Sequence, residues 1–298
     1  MHVVVTGGAG FIGGHSVREL RRRGHKVTVI DDLSHGKREN VDTPLHVLDV
    51  RSPEARDLVR SEKPDAILHL AAQMDVRKSM SDPLFDASVN VLGTVNMLDT
   101  GVRRFVFSSS GGAVYGEQDY FPAREDHPRR PASAYGASKL CGEEYLALYQ
   151  RAFGLSALAL RYANVYGPGQ DPFGEAGVVA IFLEKMLSGA EPIINGDGKQ
   201  TRDYVHVHDV ARINALAIES DVTGAVNVGT ARETSVNDLA EKLGLKKPFR
   251  HGPAKPGEQR RSAIDPSAAG KLLGWQPQVA LEEGLRATAQ WFAGRKRA

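Results

Sequence analysis

Val3-Val4-Val5-Thr6-Gly7-Gly8-Ala9-Gly10-Phe11-Ile12-Gly13 is a short β-branched run that breaks into glycines. The stretch after it, through Val17 and Leu20 to the basic cluster Arg21 to Arg23, has helical spacing, and Gly24 stops it. Lys26-Val27-Thr28-Val29-Ile30 reads as the next strand and closes on Asp31-Asp32, completing a βαβ unit. The glycines fit two overlapping templates, Gly7-x-x-Gly10-x-x-Gly13 and Gly8-x-Gly10-x-x-Gly13. Glycine lets the backbone turn tightly and approach a pyrophosphate, whose charge then sits at the positive end of a helix. Such a turn is weak evidence alone. It is strong here because it leaves a strand, opens a helix and is followed by an acid, Asp31, at the end of the next strand. A carboxylate there accepts hydrogen bonds from the adenosine ribose hydroxyls and repels a 2′-phosphate, which points to NAD. Lys37 and Arg38 lie close enough to counter that repulsion, so NADP stays as the lesser alternative; otherwise they read as a solvated loop pair.

Working outward, further strands are expected at Leu45 to Leu48, Ala66 to Leu70, Arg104 to Phe107 and Ala157 to Leu160, with helical patterns between them. The last follows a helix that starts near Tyr135 and ends at Gly154. Alternating strands and helices predict an α/β fold, a doubly wound parallel sheet covered on both faces. Beyond Tyr166 the texture changes: a Gly- and Pro-rich loop over Gly167 to Gly174 leads into shorter, less regular elements, expected to form a smaller C-terminal α/β substrate domain.

Composition excludes several classes. The 298 residues are 41% apolar and 25% charged, which rules out a disordered, collagen-like or coiled-coil chain. A formal charge of +2 is too small for the phosphate attraction on which nucleic-acid binders rely. Cys141 is the only cysteine, so no internal disulfide or thiolate metal cage can form, and a reducing, cytoplasmic setting is expected. No secretory leader is read at the N-terminus and no apolar run is long enough for a membrane helix. The basic tip Arg295-Lys296-Arg297 reads as a frayed helix end.

Tyr135-Gly136-Ala137-Ser138-Lys139 places a phenol and an ammonium one turn apart on the same helix face. A free phenol titrates near pH ~10 and is a poor base at neutral pH unless a nearby cation stabilises its phenolate, which Lys139 can do. On an ordinary helix the pair would be a surface contact; the dinucleotide unit upstream gives it weight. His206 and His208 read as neighbours on one face of a strand, with Asp209 after them, but too few further ligands accompany them and no metal is expected. Cys141 reads as a packing residue.

The glycine turn, Asp31, Asp49-Val50, Leu70-Ala71-Ala72, Asn90-x-x-Gly93-Thr94, Ser108-Ser109-Ser110 and Tyr135-x-x-x-Lys139 resemble an extended short-chain dehydrogenase/reductase of the NAD-dependent epimerase/dehydratase family. Arg161 to Pro168, Arg202-Asp203-Tyr204-Val205 and Asn227-Val228-Gly229 fall in the same family's order, so the resemblance covers nearly the whole chain. More narrowly, it resembles the 4-epimerases of UDP-glucose and UDP-galactose. The resemblance implies a Rossmann domain over 1–166 with a returning segment near 203–229, and a nucleotide-sugar domain over 167–202 and 230–298. It places Gly7, Gly10, Phe11, Ile12 and Gly13 against the pyrophosphate, and Asp31, Asp32, Leu33, Ser34 and Gly36 around the adenosine ribose. Asp49 and Val50 would lie at the adenine, and Leu70, Ala71, Ala72 and Gln73 along the cofactor with Asn90 below it. Tyr135 and Lys139 would reach the nicotinamide ribose, with Ser109 and Tyr162 as further cofactor contacts.

The same resemblance implies that Tyr135 removes the 4-hydroxyl proton of a nucleotide-linked hexose while NAD takes the C4 hydride. The resulting 4-keto sugar turns and is reduced on its other face. Lys139 assists Tyr135, and Ser110, with Ser109 as the alternative, holds the 4-oxygen; Gly111-Gly112 lengthen this segment by about one residue relative to the commoner spacing. Asn164, Val178, Asn195, Arg202, Lys255 and Glu258 would hold the nucleotide diphosphate. Lys255 stands where the family usually has Arg, and Ser262 is small at a position that is bulky in epimerases restricted to plain hexoses. Rival readings are a UDP-N-acetylhexosamine or UDP-uronate 4-epimerase, a dehydratase, which Gly111-Gly112 disfavour because they replace its Asp-Glu pair, and a non-catalytic NAD-binding regulator. A homodimer through the Asn90 and Tyr135 helices is expected from the family alone.

Overall fold

The computed structural model describes residues 1–173, 177–254 and 259–295. The first half alternates strand and helix: β1 (His2–Thr6), α1 (Phe11–Arg22), β2 (Lys26–Asp31), β3 (Leu45–Val47), α2 (Pro53–Glu62), β4 (Ala66–His69), α3 (Val76–Ser81), α4 (Pro83–Ala87), a π-helical turn (Ser88–Leu92), α5 (Gly93–Leu98), β5 (Arg104–Ser110), α6 (Gly111–Tyr115), α7 (Ala134–Phe153) and β6 (Ser156–Tyr162). Shorter elements follow: β7 (Asn164–Tyr166), α8 (Val178–Leu187), β8 (Ile193–Asn195), β9 (Thr201–His206), α9 (Val207–Glu219), β10 (Gly224–Val228), β11 (Glu233–Ser235), α10 (Val236–Lys242), β12 (Arg250–Gly252), α11 (Ser267–Leu273) and α12 (Leu281–Arg295).

β10, β6, β5, β4, β1, β2 and β3 form one sheet in that order, with every pair parallel. The expected doubly wound sheet is thus present. Its strands are apolar on both faces because helices cover both. Val3, Val5, Leu68, Val106, Leu158 and Leu160 pack with Val17 and Leu20 of α1 and Val210 and Ile213 of α9. Val4, Ile67, Phe105 and Phe107, on the opposite face, pack with Ala55 and Val59 of α2, Met97 of α5 and Leu146 of α7. Each fully buried Val, Leu, Ile, Phe or Met among them contributes roughly 1.5–3 kcal/mol of transfer free energy. The chain leaves β1 toward β2 and β3, then returns to the other side of β1 at β4, which opens a crevice at the carboxyl ends of β1 and β4.

Beyond β6, β11, β9 and β7 form a three-stranded sheet, and β12 pairs with β8. Tyr166, Leu183, Leu239, Leu285 and Phe292 make a separate core there. α11 is shared differently from the expected division of the chain. Ala269 and the neighbouring Trp275 enter the core of the large sheet, and the Trp275 indole donates to the Asp209 carbonyl at 2.9 Å.

Two local expectations change. The serine run is strand rather than loop: β5 continues through Ser110, in register with Tyr162, because β6 supplies parallel partners that far. His206 and His208 do not share a strand, since the helix begins at Val207 and His206 caps it, its ring accepting from the His208 N–H. Among the described residues no helix is long and apolar enough to cross a membrane.

His69, fully buried at the end of β4, lies between the Thr6 hydroxyl at 2.8 Å and the Thr94 hydroxyl at 3.1 Å. Thr94 donates to the Asn90 carbonyl at 2.6 Å, so it accepts from His69 Nε2–H and Thr6 donates to Nδ1. Burial lowers the His69 pKa from 6.5 to about 3, and those of His15 and His206 to about 4. These rings stay neutral in the fold but bind protons in the unfolded chain once the pH is below 6.5, so stability is complete above 6.5 and is lost as pH falls toward 4. Urea midpoints measured from about pH 8 to about pH 5 should fall on the acid side, and less steeply in His69→Gln. A midpoint flat across that range would contradict the account.

Candidate active site

The crevice is built around backbone that only glycine can occupy. Gly7 has a φ of +68°, and a Cβ there would stand 2.6 Å from the Ala71 nitrogen; one at Gly13 would stand 2.1 Å from the Gly7 carbonyl oxygen. α1 therefore starts hard against the end of β1. Gly10 is its N-cap and offers no side-chain cap, so the helix presents its first N–H groups toward an anion. Phe11 and Ile12 are half-buried beside them. Asp31 ends β2 under the same turn. One carboxylate oxygen accepts the Ala9 N–H at 2.9 Å and the other the Leu33 N–H at 2.9 Å, and Gly36 closes over it. Burial pushes the Asp31 pKa up, while these two hydrogen bonds oppose the shift. The remaining lone pairs of the carboxylate can accept ribose hydroxyls. The uncapped helix end, the glycine cradle and this acid together fit a dinucleotide.

The other expected cofactor residues fall around this centre. Asp32 accepts the Ser34 N–H at 2.9 Å and its hydroxyl at 2.6 Å. Asp49 is tied to Arg51, and buried Val50 lies beneath Gly93. Leu70, Ala71 and Ala72 carry the chain from β4 past Gly7 to Gln73. Gln73 N–H donates to Asn90 Oδ1 at 2.8 Å, and Asn90 Nδ2 donates to the Gln73 carbonyl, Asp86 and Ser138 Oγ at 2.9, 3.1 and 3.0 Å.

α7 carries the candidate pair, Tyr135 and Lys139. Ser133 caps it by accepting the Gly136 N–H at 3.1 Å, and Gly154 ends it in the left-handed region. Gly142 lets the helix approach β5, since a Cβ there would meet the Phe107 ring at 2.6 Å. Tyr135 is half-buried, with its N–H donating to Ser79 Oγ at 3.0 Å. Lys139 is only 2% exposed. Its Nζ donates to the Ser108 carbonyl at 2.9 Å and lies 4.9 Å from the Phe107 ring centre and 5.8 Å from that of Tyr135. Burial lowers the Lys139 pKa to about 8, against the opposing field of Asp86. Below that pH the ammonium is charged and favours the phenolate of Tyr135.

The two candidate hydroxyls separate. Ser109 donates to Glu143 at 2.5 Å and is 3% exposed, so its hydroxyl is committed to the protein. Ser110, half-buried at the end of β5, has no hydrogen bond engaging its hydroxyl among the described residues. The Tyr162 hydroxyl donates to Asn214 at 2.6 Å in the core, and burial raises its pKa. Of the expected nucleotide residues, Asn164 is exposed at the start of β7, Val178 opens α8, Asn195 ends β8, and Arg202 on β9 donates to the Thr201 carbonyl at 2.7 Å. Lys255 and Glu258 lie outside the described residues. Ser262 is buried with its hydroxyl 3.5 Å from where a Gly112 Cβ would be. Among the described residues no group of three or more His, Cys, Asp or Glu is placed to hold a metal ion.

Asp86, Ser138 and Glu143 were not anticipated. Glu143 is legible afterwards as the residue one turn beyond Lys139; Asp86 carries no sequence signal, because nothing local says that an acid in a polar helix is buried.

A model described as the NAD dependent epimerase/dehydratase family matches residues 3–229. The UDP-glucose 4-epimerase of Mycolicibacterium smegmatis is 44% identical, over 98% of each chain. The crystal structure of UDP-glucose 4-epimerase with UDP-glucose from Thermotoga maritima superposes with a TM-score of 0.96 at 44% identity, covering 99% of this chain and 100% of that one. The Thermus thermophilus UDP-glucose 4-epimerase in complex with NAD gives 0.92 at 43% identity over 99% of both. Because a side chain at Gly13 has no room, Gly13→Ala should weaken NAD binding at least about tenfold, read by calorimetry. Unchanged affinity would mean that the cradle is not the cofactor site.

Proposed function

The chain belongs to the NAD-dependent epimerase/dehydratase family, and we propose that it inverts C4 of a UDP-linked hexose, interconverting UDP-glucose and UDP-galactose, with Tyr135, Lys139 and Ser110 as its working groups. It is an NAD-dependent nucleotide-sugar 4-epimerase. One observation carries the residue assignment: a buried ammonium, held by the Ser108 carbonyl, one turn from a half-buried phenol on the same helix. NAD, when bound, supplies the reversible hydride acceptor for C4. The residues that would hold it are Gly7, Gly10, Phe11, Ile12 and Gly13 at the pyrophosphate and Asp31 at the ribose.

The chain's own part is proton transfer and positioning. Tyr135 takes the proton of the 4-hydroxyl and returns it after inversion, its phenolate favoured by Lys139. Ser110 donates to the 4-oxygen, so that the carbonyl form is oriented in both directions. Net oxidation is zero, since the 4-keto sugar is reduced in the same site. Inversion requires the sugar to turn while its nucleotide stays fixed, which is the task assigned to Asn164 and to Val178, Asn195, Arg202, Lys255 and Glu258 in the segments 167–202 and 230–298. The small Ser262 beside Gly112 favours a second substrate class, UDP-N-acetylhexosamines, in the same pocket.

Incubation with UDP-glucose, UDP-galactose and their N-acetyl counterparts, followed by NMR, should show C4 inversion with no net rise in NADH absorbance. Tyr135→Phe and Lys139→Met should each lose roughly 10²–10⁴-fold in kcat while retaining NAD. Full activity of Tyr135→Phe would remove the proposed acid–base group, and loss of water from the sugar would favour a dehydratase.

A cytoplasmic homodimer is the proposed working form. Exposed apolar residues support it: Leu84 of α4, Leu92 of the π-helical turn and Leu148 of α7 stand on neighbouring helices beside the site. Sedimentation should give about twice the 32.3 kDa chain mass, and Leu84→Lys should return it to the monomer; a wild-type monomer at micromolar concentration would refute this.

A further inference from the structure

Lys139 and Glu143 are successive turns of one face of α7, and each holds a successive residue of β5. Lys139 Nζ donates to the Ser108 carbonyl at 2.9 Å, and the Ser109 hydroxyl donates to Glu143 Oε1 at 2.5 Å. Glu143 is itself fixed from β6. Arg161, opposite Ser109 in register, donates from Nε at 3.0 Å and from Nη2 at 2.7 Å to its two oxygens. Arg161 Nη1 also donates to Tyr115 at 2.8 Å, and Tyr115 donates to Asn227 at 2.7 Å, which ties α6 and β10 into the same knot. The side chains of Ser109, Glu143, Arg161 and Tyr115 are all nearly without solvent exposure. An ion pair so deeply buried contributes little net stability over an apolar substitute, while losing one partner leaves an uncompensated charge. What the pair fixes lies one residue on. Ser110 follows Ser109, ends β5 and stands at the N-cap of α6.

We propose that Glu143 is a positioning residue for the epimerase reaction: through the Ser109 hydroxyl it locks the end of β5 to the helix that carries Tyr135 and Lys139, and so sets where the Ser110 hydroxyl meets the sugar 4-oxygen. The proposal rests on the assignment of Ser110 made above. Freed from Glu143, the end of β5 keeps its ladder to β6 and the Lys139 bond to the Ser108 carbonyl but loses the tie to α7 nearest Ser110, and misplacement of a catalytic group by about 1 Å costs up to ~10²-fold in rate.

The test is a double-mutant cycle in kcat using Ser109→Ala and Ser110→Ala in the NAD-loaded enzyme, with Ser109→Thr as the variant that keeps a hydroxyl. Ser109→Ala should lower kcat about tenfold with KM within about twofold, and Ser109→Thr should recover most of the loss. In the Ser110→Ala background Ser109→Ala should cost nothing more, because the group it positions is gone. An equal loss in both backgrounds, or an unchanged kcat in the single variant, overturns the proposal. If Ser110→Ala is fully active while Ser109→Ala is dead, Ser109 is itself the catalytic hydroxyl, and the assignment of Ser110 fails along with the proposal. Glu143→Gln gives a second reading: its loss should likewise vanish on Ser110→Ala, and a loss that persists there counts against positioning.

Discussion

A lysine ammonium with almost no solvent exposure is the constraint around which this molecule is organised. Removing such a charge from water costs roughly several kcal/mol, and the fold must return most of it. It does so through the Ser108 carbonyl, the face of Phe107 and the field of the buried Asp86 carboxylate. The first two are available only because α7 lies directly on β5, a closeness that depends on Gly142 against the Phe107 ring, and the third comes from α4 packed against α7. The environment of Tyr135 and Lys139 therefore rests on how α7 packs and not on the helix alone.

Around that cation the polar interior is directional. Thr6 donates to His69, His69 to Thr94 and Thr94 to the Asn90 carbonyl, while the Asn90 amide donates to Gln73, Asp86 and Ser138. The chain of donors joins the end of β1, beside the glycine turn, to the helix that bears Tyr135 and Lys139. The glycine turn and α7 are thus held by one network, in which a neutral His69 is a link. The Glu143–Arg161 pair does the same on the far side of Lys139, and between them the two networks fix the elements that carry Tyr135 and Ser110.

The lobe built on the two smaller sheets is assembled otherwise. Its residues come from short strands and helix starts, and the Asp203 carboxylate gathers the segments by accepting from Thr230, Ala231 and Ile264. Such a construction, with few long elements, suits a lobe whose shape is set by loops.

Six of the seven strands of the large sheet, all but β10, the helix of Tyr135 and the glycine turn were legible in the sequence, because each is written in neighbouring residues: β-branched runs, a three- and four-residue spacing, and clustered glycines after a strand. The same locality makes Tyr135 and Lys139 visible as a pair, and Asp31 visible as the acid after the second strand. Only the tertiary structure decided that the serine run is strand, that His208 lies in a helix, that Ser109 is bound to Glu143 while Ser110 is not, and that Trp275 packs into the core of the large sheet. Those outcomes depend on partners tens or hundreds of residues away, and burial, which sets both the hydrogen-bond partners and the charge of a group, is a property of the packed chain and not of any stretch within it.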